Sequence, residues 1–190
     1  ATLSVYPGET LTILGGSAHN RIGRVKQGGA LDGAFTPSAN GNVQTILVQP
    51  NGQILLGGAF TTVTSVAHLR LCRLNGSGAL DAGFSPSADS NVTALALQND
   101  GKILVGGVFT NLNGQPRSRL GRLASDGTLD PVFTNGADGP VSSIVVQVDG
   151  KIVVGGQFTS VGGVPRNNLA RLNPDGSLDP TFSPVADNDV

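Results

Sequence analysis

The chain has no Trp, no Met, one Tyr (Tyr6), one Cys (Cys72) and one Glu (Glu9). Each scarcity removes a class of function. With Cys72 alone there is neither an intrachain disulfide nor a cysteine metal cage. Without Trp, and with a single Tyr, there is little to stack sugars or unpaired bases, which also want positive charge. A net charge of -1 and a pI near 6.1 leave no electrostatic footprint for nucleic acid or an anionic membrane. No apolar run approaches the ~18 residues of a membrane span. The lone Glu, and the missing D-x-D-x-D-G spacing, exclude an EF-hand-like calcium loop. No leader is recognisable, and maturation or excision from a longer chain would explain the absent first Met.

What is abundant is glycine, 28 of 190 residues, set between short runs of Val, Ile and Leu. The pattern repeats. Val43, Val92, Val141 and Val190 stand 49 residues apart, and so do Gly57, Gly106 and Gly155, and Phe35, Phe84, Phe133 and Phe182. The repeats run approximately 1–41, 42–90, 91–139 and 140–188, with Asp189-Val190 beginning a further one. The first is expected to be shortened, because "ILGGSAHNRIGRV" sets its Gly pair closer to the Arg than "LLGGAFTTVTSVAHLRLCRL" does. Each repeat reads as four short strands. In the third, "VTALALQ" (92–98) and "KILVGG" (102–107) flank an Asp-Gly hairpin turn. "SRLGRL" (118–123) and "TLDPVF" (128–133) flank a second Asp-Gly, with the Pro placed where a strand must end. No segment carries a helical period. The expected fold is all-β, a β-propeller built of ~49-residue four-stranded antiparallel blades.

"DGKIVVGGQFT…G…R…LARLNPDGSLDPTF" resembles the delta-60 repeat, a β-propeller repeat of bacterial secreted and surface proteins, and its glycine pair is similar to that of kelch blades. The resemblance covers three repeats fully and the first weakly. It implies a propeller in large multidomain surface proteins and no defined reaction.

Repetition within the chain shows what every unit needs. Arg24, Arg73, Arg122 and Arg171 form one column, and Asp32, Asp81, Asp130 and Asp179 form another eight residues later. Bidentate Arg–Asp pairs across the third hairpin are expected to stitch each blade. Small residues precede each Arg, so Cys72 reads as a buried filler. The seven Phe all fall in repeated positions, the second set being Phe60, Phe109 and Phe158, and read as core between blades.

Asp89, Asp138 and Asp187, with Asn40 at the matching place, lie in the blade-to-blade connections. They read as local turn-fixing groups, with a cation site, Ca2+ for example, as the sharper alternative. In the loops after the Gly pairs, His19, His68, Arg117 and Arg166 share one position. Arg21, Arg70, Arg119 and Asn168 share another. These columns are the candidate partner face, aimed at an anionic or polar partner, with loop bracing as the bland reading. No nucleophile–base pair stands out, and the first repeat, around Ser17, His19, Asn20 and Arg21, is the place for any asymmetric catalytic site. The expected function is a non-catalytic structural or binding module of a secreted or surface protein, needing no cofactor. Its partner would be another protein or its own blade edges. The alternatives are an adhesin-like carbohydrate-binding propeller and an enzyme at the channel mouth.

Overall fold

The computed structural model describes residues 2–3, 13–14, 17–18 and 21–184. No helix occurs among them, and so none is long and apolar enough to cross a membrane. Short strands come first: β1 (Thr2–Leu3), β2 (Ile13–Leu14), β3 (Ser17–Ala18) and β4 (Arg24–Val25). Three copies of one five-strand unit follow. They are β5 (Val43–Val48), β6 (Ile54–Gly58), β7 (Thr62–Val63), β8 (Val66–Ala67) and β9 (Leu71–Leu74); β10 (Val92–Leu97), β11 (Ile103–Gly107), β12 (Asn111–Leu112), β13 (Gln115–Pro116) and β14 (Leu120–Leu123); and β15 (Val141–Val146), β16 (Ile152–Gly156), β17 (Ser160–Val161), β18 (Val164–Pro165) and β19 (Leu169–Leu172).

Each unit holds a three-stranded antiparallel sheet, β5-β6-β9 and its equivalents, and a small separate hairpin, β7-β8 and its equivalents. The expected fourth strand is reduced to one bridge, Leu74↔Leu80, Leu123↔Leu129 or Leu172↔Leu178. The reason is the Asp that follows. Its carboxylate accepts the backbone N–H two residues on, from Gly83 at 3.0 Å, Val132 at 3.1 Å and Thr181 at 2.9 Å. This Asx-type turn bends the chain away before a ladder can extend.

The first repeat also departs from the expected alignment on its Gly pair. Ile13 pairs with Ala18 and Leu14 with Ser17. These are the equivalents, 49 residues back, of Thr62↔Ala67 and Val63↔Val66. Ile13–Leu14 therefore occupies the small-hairpin position and not that of the strand carrying the Gly pair. Gly15 and Gly16 lie outside the described residues.

The sheets stack face to face. Along β10, Leu95 packs with Leu55 and Val105 against the preceding sheet, while Ala94 and Ala96 pack with Ile144 and Ile152 against the following one. Period-2 alternation thus buries both faces of the middle sheet. The Gly pairs are explained by two approaches. A Cβ on Gly57 would lie 2.6 Å from Val92 Cγ1, and one on Gly106 would lie 2.8 Å from Val141 Cγ1, so the first glycine admits the next sheet. A Cβ on Gly58 or Gly107 would strike the carbonyl oxygen of Asn42 or Asn91, where the register shifts at a bulge in the first strand.

Candidate functional site

The repeated Arg, Asp and Phe columns converge on one construction, the joint between successive units. Arg73 Nε donates to Asp81 Oδ2 at 2.8 Å, and Arg122 Nε to Asp130 Oδ2 at 2.9 Å. Arg24–Asp32 and Arg171–Asp179 are placed in the same way, at 2.8 Å and 2.9 Å. Each guanidinium also lies over its own repeat's Phe ring, 4.2–4.7 Å from the centroid, in the order Phe35, Phe84, Phe133 and Phe182. The remaining donors of the first three reach into the next repeat. Arg24 Nη1 donates to the Gly76 carbonyl, Arg73 Nη1 to Ser125 at 2.6 Å, and Arg122 Nη1 to Pro174 at 2.7 Å. A guanidinium has five donors in a planar fork, so it can hold a carboxylate, stack on a ring and serve a carbonyl together.

The turn that receives the Arg is closed by a glycine at positive φ, Gly78 at 94°, Gly127 at 92° and Gly176 at 98°. A Cβ on Gly78 would lie 2.9 Å from Phe35 Cδ2, and one on Gly127 the same distance from Phe84 Cδ2. Phe35, Phe84 and Phe133 are accordingly sealed, at 0%, 0% and 1% exposure. Gln98 joins the third joint, accepting from Arg122 and donating to the Pro174 carbonyl. The Arg24 guanidinium beside Asp32 holds that carboxyl below its ordinary range. Lys151, then Thr181, do the same to Asp179. For Asp130 burial pushes upward, and the Val132 N–H and Arg122 outweigh it.

The sequence marks these columns, but not the ring stacking or the reach into the next repeat. Their signal was the shared 49-residue period of Arg, Asp, Gly and Phe.

The described connection residues, Asn40, Asp89 and Asp138, are each tied to a small hairpin. Asp89 accepts from Thr110 N, Thr110 Oγ1 and Asn111 Nδ2 at 2.7–2.9 Å. Asp138 accepts from Thr159 N, Thr159 Oγ1 and Ser160 N at 2.6–2.9 Å. Asn40 accepts from Thr61 N and Thr62 N at 2.8 Å and 2.9 Å, so a neutral side chain fills the role in the earlier copy. Burial pushes the Asp89 carboxyl up, but the Asn111 and Thr110 hydrogen bonds prevail and hold it well below the carboxylate range. Thr159 and Ser160 hold Asp138 equally low. Asp187 lies outside the described residues. Among the described residues no three His, Cys, Asp or Glu side chains gather as a metal would require.

The candidate partner face separates into three groups. His68 does not belong to it: the side chain is 7% exposed and burial lowers its pKa, so it packs under the loop. Arg21, Arg70 and Arg119 share a positive φ, 66°, 69° and 59°, as does Asn168 at 62°. Arg21 Nη1 donates to the Ala39 carbonyl at 2.8 Å and Arg70 Nη1 to that of Ala59, so these two brace their loops. Arg117 and Arg166 are half-buried and donate Nη1 to the carbonyl just before them, Pro116 at 2.7 Å and Pro165 at 2.8 Å. Their Nε atoms are buried with no partner. A cleft of about 460 Å3 brings Arg117 and Arg119 together with Asp138 and Gly162–Gly163 at the seam of two repeats. His19 and Asn20 lie outside the described residues. Cys72 is fully buried and its thiol is pushed up to about 12, which removes it as a nucleophile at neutral pH.

Sheets of one design, stacked through one repeated joint, define a repeat protein of the bladed β class. The chain belongs to the β-propeller family described as a domain of unknown function, DUF5122, whose model matches residues 49–84, 98–133 and 147–182. Each match runs from the Gln after the first strand to the Phe of the joint, so it holds the whole Arg–Asp–Phe set. A comparison with curated proteins found no match.

Proposed function

We propose that this chain is a non-catalytic binding module of a secreted or cell-surface protein, a delta-60-type propeller segment that works through protein–protein contact. The observation that carries this is the division of labour among its cations. The Arg24, Arg73, Arg122 and Arg171 column is committed within the stack. Arg117 and Arg119, by contrast, line an open cleft, where Arg117 donates only to the backbone carbonyls of Pro116 and Asp130 and, among the described residues, neither side chain is ion-paired to a carboxylate. A rigid stack carrying spare guanidinium donors on its loops suits an acidic or polar segment of another protein.

The test is fluorescence anisotropy with a labelled poly-Glu peptide, run beside a glycan array and a panel of hydrolase substrates. Peptide binding that weakens with salt and is lost in R117A/R166A is the expected result. Peptide binding unchanged in that double variant overturns the reading. Saturable glycan binding, or turnover, would replace it with a lectin or an enzyme.

A further inference from the structure

The cleft between the third and fourth repeats departs from the seam before it, first in its lining. At the earlier seam Ser87 and Asn113 close on each other. Ser87 N donates to Asn113 Oδ1 and Asn113 Nδ2 to the Gly127 carbonyl, both at 2.9 Å. At the later seam Gly136 and Gly162 stand in their places, 49 residues on. The amide that serves the turn is kept, but Asn135 now supplies it, donating to the Gly176 carbonyl at 2.9 Å. A Cβ on Gly162 would lie 2.6 Å from Asn135 Oδ1, so the new donor and the glycine go together. Two side chains are thereby stripped from the lining of the cleft.

The cations differ too. Arg21 and Arg70 spend Nη1 on the Ala39 and Ala59 carbonyls. Arg119 stands at the same place in its repeat, at a φ of 59°, and makes neither bond. Among the described residues its guanidinium has no hydrogen-bond partner, carboxylate or ring. It therefore lines the cleft with its whole planar fork of donors unspent. Arg117 is held beside it by the Pro116 and Asp130 carbonyls. Asp138, on the same lining, is fixed by Thr159 and Ser160 and brings one negative charge. Two guanidinium charges against one carboxylate leave the lining with a single net positive charge.

We infer that this cleft is a single-carboxylate site, in which Arg119 grips one Asp or Glu side chain of an acidic segment as a bidentate pair and Asp138 selects against a second negative charge. One carboxylate neutralises the lining. The extra charge of a phosphate ester would be desolvated beside Asp138 with no cation left to meet it. The glycines at 136 and 162 give the side chain room to enter, and Arg119 is free to meet it because it braces no loop. The inference rests on the acidic-segment reading above and names what that segment must present.

The test is NMR titration of the 190-residue chain with capped, glycine-rich peptides carrying a single Glu, Gln, phosphoserine or O-sulfoserine. The Glu peptide is expected to bind with a Kd of about 1 mM and to shift the amides of Ser118, Gly136 and Gly162, and the Gln peptide is not. R119A should weaken the Glu peptide about tenfold or more, and R119K nearly as much, because a Lys lacks the fork. R70A should not, its guanidinium being spent at Ala59. D138N should tighten the Glu peptide about threefold and the phosphoserine peptide about tenfold, because a coulombic energy scales with the charge of the ligand. Asn40, at the equivalent place, shows that the fold accepts an amide there. The O-sulfoserine peptide, tetrahedral but singly charged, checks the same point in the wild type and should bind like the Glu peptide. The inference is overturned by a Gln peptide that binds as well as Glu, by R119A or D138N without effect, or by a wild type that prefers phosphoserine to Glu. Sulfoserine binding that departs from Glu and follows phosphoserine overturns it as well. Poly-Glu binding that is lost in R117A/R166A but survives R119A overturns this inference and leaves the broader reading standing. Poly-Glu that never binds ends both.

Discussion

Substituting Gly127 by Ala tests the joint most directly, because the chain supplies its own control. Gly127 and Gly101 both close turns at positive φ, 92° and 84°. An added Cβ meets different surroundings at the two sites. On Gly127 it would lie 2.9 Å and 3.0 Å from Phe84 Cδ2 and Cε2, whereas on Gly101 the nearest heavy atom is Ser125 Cβ at 3.8 Å. Backbone strain, about 1–3 kcal/mol, is common to both. Only Gly127 adds the overpacking of a sealed ring, about another 1–3 kcal/mol. At about 2–4 °C per kcal/mol for a chain of this size, G127A should melt about 2–12 °C below G101A. Thermal unfolding followed by circular dichroism reads the difference. Equal melting temperatures would mean that the Phe84 ring moves freely aside and that the turn is not a fitted half of the joint.

Removing Arg122 should be the most damaging change to an ion pair here, because it strands Asp130 at 8% exposure. We expect a loss of about 3 kcal/mol for R122A in urea titrations, at the low end for a buried pair since Lys102 remains 3.4 Å from Asp130. Arg24→Ala should cost less, its pair being more exposed, at 20% and 13%. Asp138→Asn should behave as a pH-dependent loss. The folded-state ionisation of Asp138 lies below that of the unfolded chain, near about 3.9, so its stabilisation is present above that value and fades as pH falls through the folded one. The melting deficit of D138N at pH 7 should therefore shrink below about pH 3, and a pH-independent deficit would contradict the assigned hydrogen bonds. Cys72 should resist alkylation by iodoacetamide at pH 8 in the native protein and react once urea unfolds it, as read by mass; labelling of the native form would place the thiol nearer the surface than its full burial allows.

Much of this architecture was legible as spacing. A 49-residue period, Asp-Gly turns and Val/Ile/Leu alternation required antiparallel strands in equivalent units. The same period marked Arg122, Asp130 and Phe133 as things every unit uses, because any residue needed by the local geometry of one unit is needed by all. Local rules failed in two places. The sequence "TLDPVF" reads as a strand until the Asp130 carboxylate takes the Val132 N–H, a choice settled by side-chain competition for a backbone donor. In the first repeat, Ile13-Leu14-Gly15-Gly16 matches the Gly-pair strand by composition, but Ile13–Leu14 pairs as the small hairpin.

What only the tertiary structure decided is direction across the seams. Period alone cannot say whether Arg122 serves its own unit or the next. The fold shows both, with Asp130 beneath it, Phe133 under its plane and the Pro174 carbonyl beyond. His68, equivalent in sequence to Arg117, goes inside while Arg117 opens onto a cleft, because a buried imidazole can shed its charge and a guanidinium cannot. The chain order determines that each unit resembles the last. Contact between units, which depends on residues about fifty positions apart meeting at a glycine too small to obstruct them, determines that the units form a stack with a head and a tail.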